Sequence, residues 1–398
     1  MTERSTLLSP GFVLINLQFG LITTITALFF LFSGYLSQMG FNPATGGLIL
    51  SADSLAAFIV QPLITPLIHA GNARRWLLGG AILFSLSLFM LGQLSAIPLL
   101  IAARLLQGAG FICVLSSLIT MLIPFIPPGM SGRAFGYVSL VRLVPYAVIP
   151  MVSDFVAFQP SSFSLLLDVA AVAALLPILM LMMRRQSTGE PHPDPGSYRM
   201  IASLRSRPVV LLLISSLLFY CGYSSMFFYF KQYGLFAGIT RAGLFFSIAT
   251  FVMIGIRLFG SGLFDRYDKA KLGATGLFAL AVCYGVMPWC HSAAIFICLA
   301  VVTGLGWGIA MPLQAAAMFD ISLPPARALN QNLLLIMMQG GFFLGPLLGG
   351  QLIAGFGYTA LFACLATSSL AAAVMMNLSR QTSSGQPPDN NKVRSISH

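Results

Sequence analysis

The chain is poor in charge. Its 398 residues include 21 Lys and Arg and 10 Asp and Glu, together 8%, against about 25% in an ordinary soluble domain. That shortfall excludes a water-facing globule of this size, whose surface needs charge to stay dispersed. A hydrophobic fraction of 57%, with 32 Phe and 19 Met, excludes intrinsic disorder for the opposite reason. Cysteine chemistry is equally thin. Cys113, Cys221, Cys283, Cys290, Cys298 and Cys364 all lie in apolar segments and form neither a CxxC pair nor a Cys/His cluster. They read as small buried hydrophobes, and no metal or cofactor is expected. His69, His192, His291 and His398 are scattered, and no HExxH, GxSxG or Walker loop occurs. An intramembrane enzyme or an in-chain ATPase therefore has no motif to stand on.

What is present is long apolar sequence. No charged residue occurs from Ser5 to Ala52, from Leu272 to Phe319, or from Ala328 to Ser379. The last run would measure about 78 Å as helix at roughly 1.5 Å per residue. A bilayer core is about 30 Å thick, so each run holds two spans and a turn. The spans are helical, because lipid offers backbone groups no partner and nothing alternates like a barrel strand. The expected fold is an all-α polytopic membrane protein of twelve transmembrane helices, near 11–37, 44–68, 76–95, 98–123, 133–157, 162–183, 209–235, 241–264, 272–290, 293–318, 328–355 and 358–379. Asn42-Pro43, Pro127-Pro128-Gly129, Pro160, Pro324-Pro325 and Gly355-Phe356-Gly357 mark breaks between them. The segment 184–208, rich in Pro, Gly and charge, reads as an aqueous linker between a six-helix half at 1–183 and another at 209–380. The polar stretch 381–398 reads as a disordered cytoplasmic tail. Met1–Pro10 carries Glu3 and Arg4 and runs into a span-length apolar segment without a cleavage site, so it does not read as a cleaved leader.

The formal net charge of +11 reports topology rather than a nucleic-acid partner. With the N-terminus inside, sixteen of the 21 basic residues fall on inner segments, Arg241 alone falls on an outer loop, and Arg104, Arg142, Lys231 and Arg257 fall within spans. That bias places both termini in the cytoplasm and suits a multi-pass protein of the inner membrane. Internal repetition supports two homologous halves. Gly47-Leu48 recurs as Gly243-Leu244, Gly108 and Gly110 as Gly304 and Gly306, and Pro150 as Pro346, all 196 residues apart. Parallel six-helix repeats are a transporter plan, with substrate bound between the halves near the midplane.

Several motifs resemble the major facilitator superfamily over nearly the whole chain. Gly262 to Lys271 is similar to the family's G-x-x-x-D-R-x-x-x-K inner-loop motif. The resemblance implies a conformational latch at Asp265, Arg266 and Lys269, served by Arg257 two turns earlier. An Asp there can hold a neighbouring helix N-terminus and nearby Arg in one state. The first-half copy has His69 where the latch Asp would stand. Arg104-Leu105-Leu106-Gln107-Gly108 resembles the R-x-x-Q-G motif of proton-coupled members. An arginine within a span costs roughly 2.5–3.5 kcal/mol on insertion scales, so it needs a partner or water. Asp53, at similar depth on the second helix, is the candidate. The pair reads as a proton-coupling site or as a structural ion pair, if the two meet. The first helix offers no carboxylate, only Asn16 and Gln18.

Asp168 on the sixth helix is a further proton-coupling candidate; at the depth of Asp154 and Lys231, the two acids could share a proton or pair with the lysine, although Asp154 reads better as solvated at the mouth. Arg142 on the fifth helix either attracts an anionic substrate group or pairs with an acid elsewhere. Candidate cavity residues are Asn16, Gln18, Gln107 and Arg142, with Phe219, Tyr223 and Phe227 recurring at helical spacing on the seventh helix. The glycine-rich eleventh helix, Gly340 to Gly350, reads as a close-packing face. The expected function is secondary active transport by a monomer, with a small-molecule substrate and H+ as partners. Export of an amphipathic organic molecule by proton antiport leads; proton-coupled uptake of a sugar or organic anion is the alternative.

Overall fold

The computed structural model describes residues 9–69, 71–126, 131–155, 160–178, 204–239, 241–259, 267–290, 293–323 and 326–383. Among these residues there is helix and no strand. The helices are α1 Pro10–Leu28, α2 Phe32–Gln38, α3 Pro43–Ile64, α4 Ala73–Gln93, α5 Ile97–Leu122, α6 Ser131–Ser153, α7 Pro160–Ala173, α8 Arg207–Phe236, α9 Ala242–Phe259, α10 Lys269–Val286, α11 Ala293–Ile321 and α12 Arg327–Ser383. A 3₁₀ turn at Phe29–Leu31 joins α1 to α2, so the pair acts as one rod. Among the described residues, nine helices are long and apolar enough to cross a membrane, with two shorter apolar ones at Tyr137–Ser153 and Ser162–Ile178.

Local chemistry sets the ends. Ser9 and Asn42 accept hydrogen bonds from Phe12 N–H (3.3 Å) and Thr45 N–H (2.8 Å), with Pro10 and Pro43 at the first helical position. α8 begins at Arg207, two residues before its expected start, because Pro208 suits a first turn. α12 is two helices: Gly357 at φ 77° interrupts it where the Gly355-Phe356-Gly357 break is expected, and only glycine adopts that backbone without strain. The rest of the expected linker, up to residue 203, and the tail beyond Ser383 lie outside the described residues.

The 196-residue repeat is visible in the packing. A Cβ on Gly108 would run into the Asp53 carbonyl, and one on Gly304 into the Ala249 carbonyl. Gly110 sits on Gly80 and Phe84, and Gly306 on Gly276 and Leu280. Each contact maps onto the next by the same offset, so α3, α4 and α5 pack as α9, α10 and α11 do. The repeats meet along two seams. In one, Gly47 of α3 lies against the Pro346 carbonyl of α12. In the other, Gly243 of α9 lies against the Pro150 carbonyl of α6. These are the same contact with the repeats exchanged. Both lie at one end of the bundle, called here the far end, opposite the end where α1 and α8 begin.

Candidate functional site

Arg104 projects from α5 into α3 and is 1% exposed. Its Nη2 lies 2.6 Å from Asp53 Oδ1 and donates to the Leu50 carbonyl at 2.8 Å. Nη1 donates to Gln107 Oε1 at 2.5 Å and Nε to the Ile49 carbonyl at 3.3 Å. The Phe29 and Phe32 rings lie 4.6 and 5.4 Å from its carbon centre, a cation–π cradle from the α1–α2 rod. The R-x-x-Q-G spacing is thereby explained. Arg104 makes the ion pair, Gln107 one turn on holds the guanidinium, and Gly108 lets α5 approach the backbone of Asp53. Gln107 is therefore engaged within the pair rather than lining a substrate cavity. Asp53 keeps 27% of its side chain accessible, so this buried pair has one open side. Tyr146 of α6, whose hydroxyl is 3.1 Å from Thr26 Oγ1, lies in the field of both Asp53 and Arg142.

The remaining candidates separate. Asp168 receives two bonds from Gln93 Nε2 at 3.2 and 3.1 Å, between α4 and α7, and is not brought to Asp53 or to Lys231. Phe219, Tyr223 and Phe227 are buried rather than cavity-lining. Tyr223 packs edge-on to Trp307 at 4.7 Å, and Phe227 meets Phe30 at 5.7 Å and Tyr146 at 5.5 Å. Within the stripe, Phe227 meets rings of the first repeat, whereas the ring contacts of Phe219 and Tyr223 lie inside the second. Asn16 donates to its own helix at the Phe12 carbonyl (2.8 Å), and its Oδ1, like Gln18 Oε1, is buried without a partner among the described residues.

Arg257 reaches the Ser139 hydroxyl on α6 and Met311 Sδ on α11 at 3.8 Å, which ties it to the repeat interface. Asp265 and Arg266 lie outside the described residues. Lys269 pairs with Asp320 at 2.8 Å, and Asp268 caps α10 and pairs with Arg380 at 2.7 Å. The glycine face of α12 packs closely, as expected: Gly341 lies on Tyr220 and Cys221, Gly345 on Ser224, and Gly349 on Tyr229.

One cluster realises the Lys231 pairing that the matched depths allowed, against the solvated reading of Asp154. Asp154 is not solvated but 4% exposed. Its two carboxylate oxygens accept the Gly243 and Leu244 N–H groups at 3.1 and 3.0 Å, the first turn of α9, an anion at a helix N-terminus. Lys231 of α8 stands 3.7 Å from the same carboxylate and donates to the Ser153 carbonyl and hydroxyl at 2.7 Å each. Ser33 donates to the Phe228 carbonyl nearby. Together they clasp the far end shut across the repeats, beside a cleft of about 260 Å³ lined by Tyr35, Gln38 and Gln232 among others. The signal was an Asp near the end of one expected helix and a lysine near the end of another, with the receiving helix start invisible.

Two helical repeats joined through such seams define a multi-pass membrane transporter. A family model described as Major Facilitator Superfamily matches residues 13–327 and 272–397. The chain belongs to the major facilitator superfamily, a family of transporters rather than enzymes. Among curated relatives, the quinolone resistance protein NorA of Staphylococcus aureus is 28% identical over 115 residues, 28% of this chain and 30% of that protein. The alignment thus spans under a third of the relative. Among solved structures, the nucleoside transporter NupG superposes with a TM-score of 0.76 at 15% identity, covering 94% of this chain and 100% of that one. A bacterial homologue of the human lysosomal transporter Spinster, inward-facing and unoccupied, gives 0.72 at 14% identity over 94% and 96%. These likenesses establish the fold.

Proposed function

We propose that the chain exports a small amphipathic organic molecule by proton-coupled antiport. It works as a monomer in the inner membrane, both termini cytoplasmic, through alternating access. The halves 1–183 and 209–380 rock about the linker 184–208, and the sequence Asp265-Arg266 with Lys269 latches the cytoplasmic side. The Asp53–Arg104 pair carries this reading. Arg104 is fully enclosed, while Asp53 keeps an open side through which a proton can arrive. Protonating Asp53 removes the counter-charge from a guanidinium that cannot reach water, an arrangement that strongly destabilises a buried pair. Relief requires α3 and α5 to shift. The proton is thereby tied to movement, with the Ser54 hydroxyl donating to the same carboxylate. The export direction takes its support from the relative named for quinolone resistance. Uptake by symport of a sugar or organic anion is the second reading. It is favoured by the shared fold with a nucleoside transporter and by Arg142, which has no ion-pair partner among the described residues.

Accumulation of an aromatic fluorescent dye in cells, with and without the protein, tests the direction. Export predicts lower accumulation in its presence and recovery when an uncoupler collapses the proton gradient. Higher accumulation overturns export.

A further inference from the structure

Arg142 stands at the middle of α6, eleven residues from either end. It is half-buried and makes no hydrogen bond or ion pair with any described residue. Arg257 of α9 binds Ser139 of α6, one helical turn from Arg142, and the Arg257 Nε is enclosed without an acceptor among the described residues. The Arg257 guanidinium lies in the field of Arg142, and Tyr220 of α8 lies in the field of both. The described carboxylates are engaged elsewhere: Asp53 with Arg104, Asp154 with Lys231 and α9, Asp168 with Gln93, Asp268 with Arg380, and Asp320 with Lys269. Among the described residues, two interior cations therefore stand within a helical turn of one another along α6 with no carboxylate partner. Like charges in a low-dielectric interior repel, so an anion placed between them would relieve that repulsion. Neither charge belongs to the repeated packing, since the equivalent positions 196 residues away are Met338 and Gln61.

We propose that Arg142 and Arg257 together bind the oxyanion head of the transported molecule. The substrate is then an organic acid, a carboxylate, sulfonate or phosphate on an apolar body, and this rests on the transport reading above. Guanidinium forks match such oxyanions bidentately. Tyr220 and Tyr146 supply hydroxyls beside the head, and their partly exposed rings supply apolar contact for the body. Because α6 and α9 come from different repeats, a bound anion draws the repeats together at mid-depth, where a ligand can be felt by both access states.

Thermal unfolding of the purified full chain in nanodiscs tests this with benzoate, benzenesulfonate and phenyl phosphate, each compared with neutral benzamide. The anions raise Tm and benzamide does not. Arg142→Gln and Arg257→Gln each weaken the anion effect roughly tenfold or more, while Arg142→Lys keeps part of it. Without any ligand, each Gln variant melts higher than the parent, because a like-charge repulsion is removed. Equal shifts from benzoate and benzamide, or lower melting of both empty Gln variants, overturn the proposal. Binding is read without a gradient, so its loss beside intact pH-driven transport removes this inference alone. Its persistence beside absent pH-driven transport removes the coupling alone.

Discussion

At the residue scale, Arg104 is the most fully satisfied charge in the described chain. An acid, an amide, two carbonyls and two rings surround it. Removing one partner of such a pair leaves an uncompensated buried charge, at a cost of about 3–5 kcal/mol. Arg104→Ala is therefore expected to lower Tm markedly in detergent, and Arg104→Lys to recover little, because an ammonium cannot make the forked contacts. Gln107→Ala costs less, about 1–3 kcal/mol for the unmade hydrogen bond. Unfolding curves for the three, in that order of severity, check the description. This much was legible in sequence, because a charge in an apolar run stands out and the R-x-x-Q-G spacing puts Arg104 and Gln107 on one face. Tyr146 and Ser139 were not, since a hydroxyl in an apolar helix carries no periodic signal. Their partners depend on how α6 crosses α1 and α9.

Between elements, glycine decides which helices touch and where. Gly108 admits the Asp53 carbonyl, so Gly108→Ala is expected to push α5 from α3, costing about 1–3 kcal/mol as an overpacked contact, and to impair transport together with the ion pair. Gly243 admits the Pro150 carbonyl beside the Asp154 clasp. Gly243→Ala and Asp154→Asn are both expected to loosen α6 from α9 and favour the state open at the far end. In a cysteine-free background, a Ser153→Cys reporter should then react faster with a maleimide than it does with Gly243 and Asp154 intact; an unchanged rate contradicts the clasp. The breaks between helices were legible from Pro and Gly alone. The clasp was not, because an acid at a helix end looks solvated until the N-terminus of a distant helix is placed against it.

Across the whole molecule, the repeat is symmetric in packing and asymmetric in chemistry. Where the first repeat has Asp53, Arg104 and Gln107, the second has Ala249, Ala300 and Thr303, although Gly108 and Gly304 make the same contact. The glycine framework thus builds two similar bundles, and the buried ion pair stands in one of them. Rocking between them is expected to require the far-end seam to open. Joining a Ser153→Cys and Lys231→Cys pair with a short bis-maleimide should arrest transport, while either single variant, labelled alone, continues to transport. The repeat was legible because four landmarks shared one offset. The seams were not, since nothing in the offset says that Gly47 meets Pro346 and Gly243 meets Pro150. The central claim is that a proton on Asp53 drives the exchange. Transport by the protein in proteoliposomes under an imposed pH gradient, compared with Asp53→Asn, tests it most directly. The account predicts pH-driven movement by the parent and none by Asp53→Asn, and undiminished pH-driven movement by Asp53→Asn would contradict it.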